Sequence, residues 1–176
     1  MTLWVFGYAS LLWNPGFDVV ETRKARLQGY RRSFCMRSIH HRGTPEEPGL
    51  VMALDPDETT CCDGLALAAP DAQQDEVLAY LRDRELISSA YLERLVPLTL
   101  EGGEEITALA YVIDPDHVQY CGGLPLEEQA QIIARAVGGR GPNTEYLLNT
   151  VDHLETLGVR DADLSWLAER VRNLAA

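Results

Sequence analysis

The sequence predicts an α+β fold, and three observations carry that expectation. Short apolar runs punctuated by Gly, Pro and Asp fill the first two thirds of the chain. Apolar residues at helical spacing fill the last third. No composition shift marks a linker between the two regions, so a single domain over residues 1–176 is expected.

Taken in order, Leu3 to Phe6 reads as a strand, and Lys24 to Ile39 as one or two more, with Leu27, Tyr30, Phe34 and Met36 as candidate core residues. His41 to Pro48 is a turn-rich loop. Leu50 to Leu54 and Leu65 to Ala69 are short strands around an Asp55-Pro56-Asp57 turn. Asp71 opens a helix after Pro70, and Gln74 three positions later suggests a capping box. Val77, Leu78 and Leu81 continue that helix to near Glu85. Tyr91 to Leu100 and Ile106 to Ile113 read as an antiparallel hairpin across Glu101-Gly102-Gly103-Glu104. Leu126, Ala130, Ile133 and Ala134 mark a second helix. Asn143 is placed to cap a third, whose face is Leu147, Leu148, Val151 and Leu154, and Leu164 to Leu174 makes a fourth.

The totals exclude several classes. The formal net charge is −12, from 27 acidic and 15 basic side chains, which argues against a nucleic-acid surface. An anionic ligand needs a local positive spot in such a field. No apolar run approaches the roughly 20 residues of a membrane helix, and the N-terminus has no basic region followed by a long apolar stretch. Cys35, Cys61, Cys62 and Cys121 include no CxxC and are expected as thiols, so a cytoplasmic protein is expected.

Candidate chemistry is dispersed. Gly7-Tyr8-Ala9-Ser10 follows the first strand as a small elbow. It has neither the GxxxxGK[ST] nor the GxGxxG pattern, but consecutive N–H groups in a turn can form an anion nest. Gly138-Gly139-Arg140-Gly141-Pro142 reads as an interhelical loop. His40, His41, His117 and His153 lack zinc-ligand spacing, as do the cysteines, so no metal is expected. Arg42 is either a solvated charge or a carboxylate clamp. Glu85 closes the Arg82-Asp83-Arg84-Glu85 run at a helix C-terminus, where the dipole and Asp83 ease protonation and a pairing with Arg84 opposes it.

Four separated segments, in order, resemble the ChaC-like gamma-glutamylcyclotransferases. "VFGYASLLWNPGF" is similar to that family's opening, "SIHHRGTPEEPG" to its HRG loop, "YLRDRELISSAY" to its RE segment and "NTEYL" to its NTEYL. The resemblance runs nearly end to end. It implies a small mixed β-barrel with flanking helices, Glu85 as catalytic acid/base, and substrate binding by Phe6, Gly7, Tyr8, Ala9, Ser10, Leu11, Arg42 and Tyr146. It implies no cofactor and a small-molecule substrate, glutathione, with no nucleic-acid or membrane partner. Two departures stand out. The family usually has Gly at the position of Ala9, and some members have two glycines where this chain has Ile87-Ser88-Ser89-Ala90. The activity implied is cyclisation of the gamma-glutamyl group, releasing 5-oxoproline and Cys-Gly. Alternatives are a cyclotransferase for other gamma-glutamyl amines or amino acids, and a non-catalytic gamma-glutamyl-binding module.

Overall fold

The apolar opening extends as expected: β1 runs Trp4–Gly7, with Val5 and Phe6 buried. The computed structural model describes residues 1–86 and 90–175. After β1 come α1 (Ser10–Trp13), β2 (Glu21–Ser38), β3 (Gly49–Ala68), a 3₁₀ turn (Asp71–Gln73) and α2 (Gln74–Glu85). Then follow β4 (Tyr91–Leu100), β5 (Glu105–Ile113), α3 (Leu126–Arg135), β6 (Val137–Gly138), β7 (Gly141–Pro142), α4 (Asn143–Thr156) and α5 (Ala162–Ala175).

The long strands close a mixed barrel in the order β1-β3-β2-β4-β5. β1 is antiparallel to β3, with Trp4 opposite Ala68, and parallel to β5, with Val5 opposite Leu109. β4 and β5 form the expected hairpin, in register from Tyr91 opposite Ile113 to Thr99 opposite Glu105. Gly103 turns it with φ +92°, a conformation that glycine adopts without steric cost. Closure gives each of the five barrel strands a neighbour on both sides.

The chain divides into two compact units. The first comprises Met1–Arg32 and Leu54–Val118, the second Ser33–Ala53 and Gln119–Ala176. In the first, Phe6, Leu27, Leu54, Leu81, Leu98 and Ile113 are fully buried, each contributing about 1.5–3 kcal/mol of transfer free energy. In the second, α3, α4 and α5 pack against one another around Ile133, Leu147, Val151, Leu154 and Leu167.

Several local expectations need correction. The Lys24 to Ile39 region is one strand, β2. The Asp55-Pro56-Asp57 turn does not interrupt β3, which runs unbroken for 20 residues. Pro56 is exposed there, where a missing N–H costs little. Asp57 accepts the Thr59 N–H at 3.0 Å, so the turn chemistry survives as a local irregularity within the strand. The Asp71–Gln74 pair is not a capping box. The Gln74 amide donates to the Met1 carbonyl (2.6 Å) and to the Asp71 side chain (3.4 Å), and no side chain caps α2. Gly138 to Pro142 is not a plain loop. It folds into a two-stranded ribbon, Val137 opposite Pro142 and Gly138 opposite Gly141.

Candidate functional site

In the first unit, β1 delivers the chain into the elbow. Gly7, Tyr8 and Ala9 are buried, and Ser10 begins the single turn of α1. The Leu12 N–H donates to the Ala9 carbonyl (2.9 Å) and the Asn14 N–H to the Ser10 carbonyl (2.7 Å). Ala9 has φ −147°, a negative value that accommodates a Cβ. β3 approaches closely here: a Cβ at Gly64 would lie 2.3 Å from the Gly7 carbonyl oxygen, so only glycine fits. The Tyr8 ring stacks near Phe6, with centroids 6.2 Å apart.

Two buried guanidinium groups address this elbow. Arg32 on β2 donates from Nε to the Tyr8 carbonyl at 2.7 Å, and from a terminal nitrogen to the Asp63 carbonyl. Arg84, on the last turn of α2, donates to the Ser10 hydroxyl (3.0 Å) and to the Asn14 (2.6 Å) and Pro15 (3.1 Å) carbonyls. It also donates to the Tyr80 hydroxyl at 3.2 Å. Its Nε stands 3.4 Å from Glu85 Oε1. Thus one side chain, 8% exposed, joins the elbow to a carboxylate that is 14% exposed. A guanidinium beside a carboxylate stabilises the ionised form, which acts against the helix-terminus effect.

A second network lies alongside. The Tyr111 hydroxyl donates to Glu93 Oε1 at 2.9 Å, and Glu93 is held by two 3.0 Å hydrogen bonds from Arg82. Burial, the Glu93 hydrogen bond and the charges of Glu93 and Glu85 hold the Tyr111 phenol well above its ordinary range. Hydrogen bonds from Arg82 and Tyr111 outweigh partial burial and hold the Glu93 carboxyl below its own. The Tyr8 hydroxyl reaches the Tyr111 carbonyl at 3.4 Å.

In the second unit, Arg42 and Tyr146 meet each other. Arg42 is 5% exposed, which rules out a solvated charge. It donates to the Pro142 carbonyl at 3.1 Å, pairs with Glu145 at 3.5 Å and lies 5.8 Å from the Tyr146 ring centroid. The carboxylate it clamps is therefore the chain's own Glu145. The Tyr146 hydroxyl accepts the Met52 N–H at 3.0 Å, and its ring meets Phe34 edge-on at 6.0 Å. Asn143 is fully buried and is not a cap. Its Oδ1 accepts from the Leu50 N–H and its Nδ2 donates to the Leu50 carbonyl, both at 2.8 Å. The β6–β7 ribbon packs backbone to backbone on the His41–Gly43 loop: a Cβ at Gly138 would lie 2.4 Å from the Gly43 nitrogen.

Through Arg84 the structure links Glu85 to Ser10 of the elbow, and it places Arg42 with Tyr146. Sequence reasoning missed Arg32, Arg84 and Tyr111 as site residues. Arg84 was visible only as a charge beside Glu85, and nothing local marked the other two. The Ile87-Ser88-Ser89 part of the second departure lies outside the described residues, while Ala90 is buried.

Comparison with known proteins converges on one family. A family model described as "ChaC-like protein" matches residues 3–174. The glutathione-specific gamma-glutamylcyclotransferase of Escherichia coli (strain K12) is 34% identical over 174 residues, covering 99% of this chain and 74% of that protein. Glutathione-specific gamma-glutamylcyclotransferase 1 of Homo sapiens is 34% identical over 163 residues, covering 92% and 73%. Among solved structures, that of a yeast gamma-glutamyl cyclotransferase specific to glutathione superposes with a TM-score of 0.88 at 25% identity, covering 98% of this chain and 96% of that one. With the barrel, the elbow and the family match all extending along the same chain, this protein belongs to the ChaC-like family.

Proposed function

We propose that this protein degrades glutathione by cyclising its gamma-glutamyl group, releasing 5-oxoproline and Cys-Gly, and that the whole of residues 1–176 acts as one catalytic domain. The reading draws on the family match and on the names of the relatives. The observation that carries it is Arg84, which holds Glu85 beside the elbow at Ser10.

The chemistry needs little beyond geometry. The substrate's own α-amine attacks its γ-carbonyl and closes a five-membered lactam, and the C–N bond to the cysteinyl nitrogen breaks. Because the nucleophile is tethered, well-oriented attack contributes on the order of 7–11 kcal/mol. Two proton transfers remain, one from the ammonium and one to the departing amine. Glu85 performs both in turn, as base and then as acid, each worth roughly 10²–10⁴-fold. The elbow Phe6, Gly7, Tyr8, Ala9, Ser10 and Leu11 holds the gamma-glutamyl end through its backbone amides. Arg32 and Arg84 make this a positive spot in an acidic protein.

The activity is assigned to the cytoplasm, where glutathione keeps thiols reduced; among the described residues no helix is long and apolar enough to cross a membrane. Incubation of the protein with reduced glutathione, followed by mass spectrometry, tests the reading. Equal amounts of 5-oxoproline and Cys-Gly are expected. Binding of glutathione without either product would instead leave a gamma-glutamyl-binding module.

A further inference from the structure

We infer that Arg84 is the positioning residue of this site, a guanidinium that fixes the Glu85 carboxylate in register with the elbow by binding both at once. The inference rests on the proposed role of Glu85 and deepens it, making Arg84 the group that sets the placement and the charge state of that carboxylate.

The argument is geometric. Arg84 spends its donors on chain segments far apart in sequence. Its terminal nitrogens go to Ser10, Asn14 and Pro15, 69 to 74 residues upstream, and its Nε faces Glu85. Asn14 and Ser10 are themselves linked by the backbone hydrogen bond that closes α1. The guanidinium thus seals the C-terminal end of that one turn on one side and a carboxylate on the other. Glycine at position 16 lets Tyr80 complete the clamp: a Cβ there would lie 1.9 Å from the Tyr80 hydroxyl, which accepts from Arg84 at 3.2 Å.

Only a planar fork can serve both ends. A lysine ammonium is a point charge that can reach one cluster of oxygens but cannot hold the two in fixed relation. A purely structural arginine would satisfy the α1 carbonyls without facing the carboxylate. Among the described residues Tyr111 on β5 also feels the Glu85 charge, and its hydroxyl is engaged by Glu93 and, through it, Arg82.

The test uses Arg84→Lys and Arg84→Gln in the full chain, with two independent readouts. The first is the Glu85 carboxyl titration, followed by NMR of protein labelled with ¹³C-carboxyl glutamate and assigned with Glu85→Gln. In Arg84→Gln the midpoint is expected to rise by about one to three pH units, because the neighbouring cation is gone. In Arg84→Lys it stays near that of the parent. The second readout is turnover of glutathione. Arg84→Lys is expected to lose roughly 10- to 100-fold in kcat/KM, carried by kcat, since Glu85 keeps a cation and loses its placement.

An unmoved Glu85 midpoint in Arg84→Gln, or Arg84→Lys turning over within threefold of the parent, overturns the inference. A lower melting temperature with an unmoved midpoint assigns Arg84 a structural role only. If the parent protein makes no 5-oxoproline, the proposed reaction falls, and the titration still decides whether Arg84 sets the state of Glu85. Should one variant fail to fold, the other decides.

Discussion

The side-chain amide of Asn143 grips the backbone of Leu50 from both sides, accepting its N–H and donating to its carbonyl at 2.8 Å each. A side chain thereby gives the backbone of β3 two further hydrogen bonds. Both partners are buried, so neither has water as a substitute.

Asn143→Asp tests this grip. The aspartate keeps the acceptor and replaces the donor with an oxygen facing the Leu50 carbonyl. A loss of about 2–4 kcal/mol in unfolding free energy is expected, from a buried charge and a broken hydrogen bond. Asn143→Ala should cost about 1–3 kcal/mol. Urea titration of both variants measures it, and a loss under 0.5 kcal/mol in each would show that the grip is incidental.

Glu85→Gln keeps shape and hydrogen bonding but cannot titrate. It is expected to fold as the parent does and to lose at least 10²-fold in kcat on glutathione. Circular dichroism together with product release checks this. Turnover within a few-fold of the parent would remove Glu85 from the proton-transfer role.

Ala9 separates the elbow's backbone from its side chain. With φ at −147°, Ala9→Gly gains no needed freedom and is expected to lower stability by about 0.4–1 kcal/mol while retaining activity. Ala9→Asp puts a carboxylate where an anionic substrate is expected and should abolish glutathione binding. Calorimetry with glutathione reads the second variant directly. Parent-like affinity in Ala9→Asp would reduce the elbow to a turn.

Tyr111 and Glu93 set opposite arms of the stability–pH profile. Tyr111 holds its proton more tightly when folded. Above the ordinary tyrosine value of about 10 the unfolded chain releases a proton that the fold retains, so stability falls as pH rises. Tyr111→Phe should therefore flatten the decline above about pH 10. Glu93 is shifted down in the fold, so its contribution is present above the ordinary carboxyl value of about 4.3 and is lost as pH falls below it. Glu93→Gln should flatten the acid arm. Melting temperatures across the pH range check both, and a Tyr111→Phe curve parallel to the parent's above pH 10 would contradict the first.

Hydrophobic periodicity is a local property, so the order and type of most elements are legible in the residues alone. The Tyr91 to Ile113 hairpin and the helices carrying Val77, Ile133, Leu147 and Leu167 follow from spacing alone. The four motif segments, quoted in order, also marked the family. Choices between competing partners for one group emerge only once the chain is folded. Asn143 has the right chemistry for a cap, yet a buried strand backbone 93 residues away takes its amide. Arg42 reads in sequence as either a solvated charge or a carboxylate clamp, and burial against Glu145 decides for the clamp. Arg84 looked like an ordinary helix-end charge until folding placed the Ser10 hydroxyl 3.0 Å from its fork. Hydrogen bonds and ion pairs depend on distances set by the whole fold, and a local pattern carries no information about distance across 70 residues.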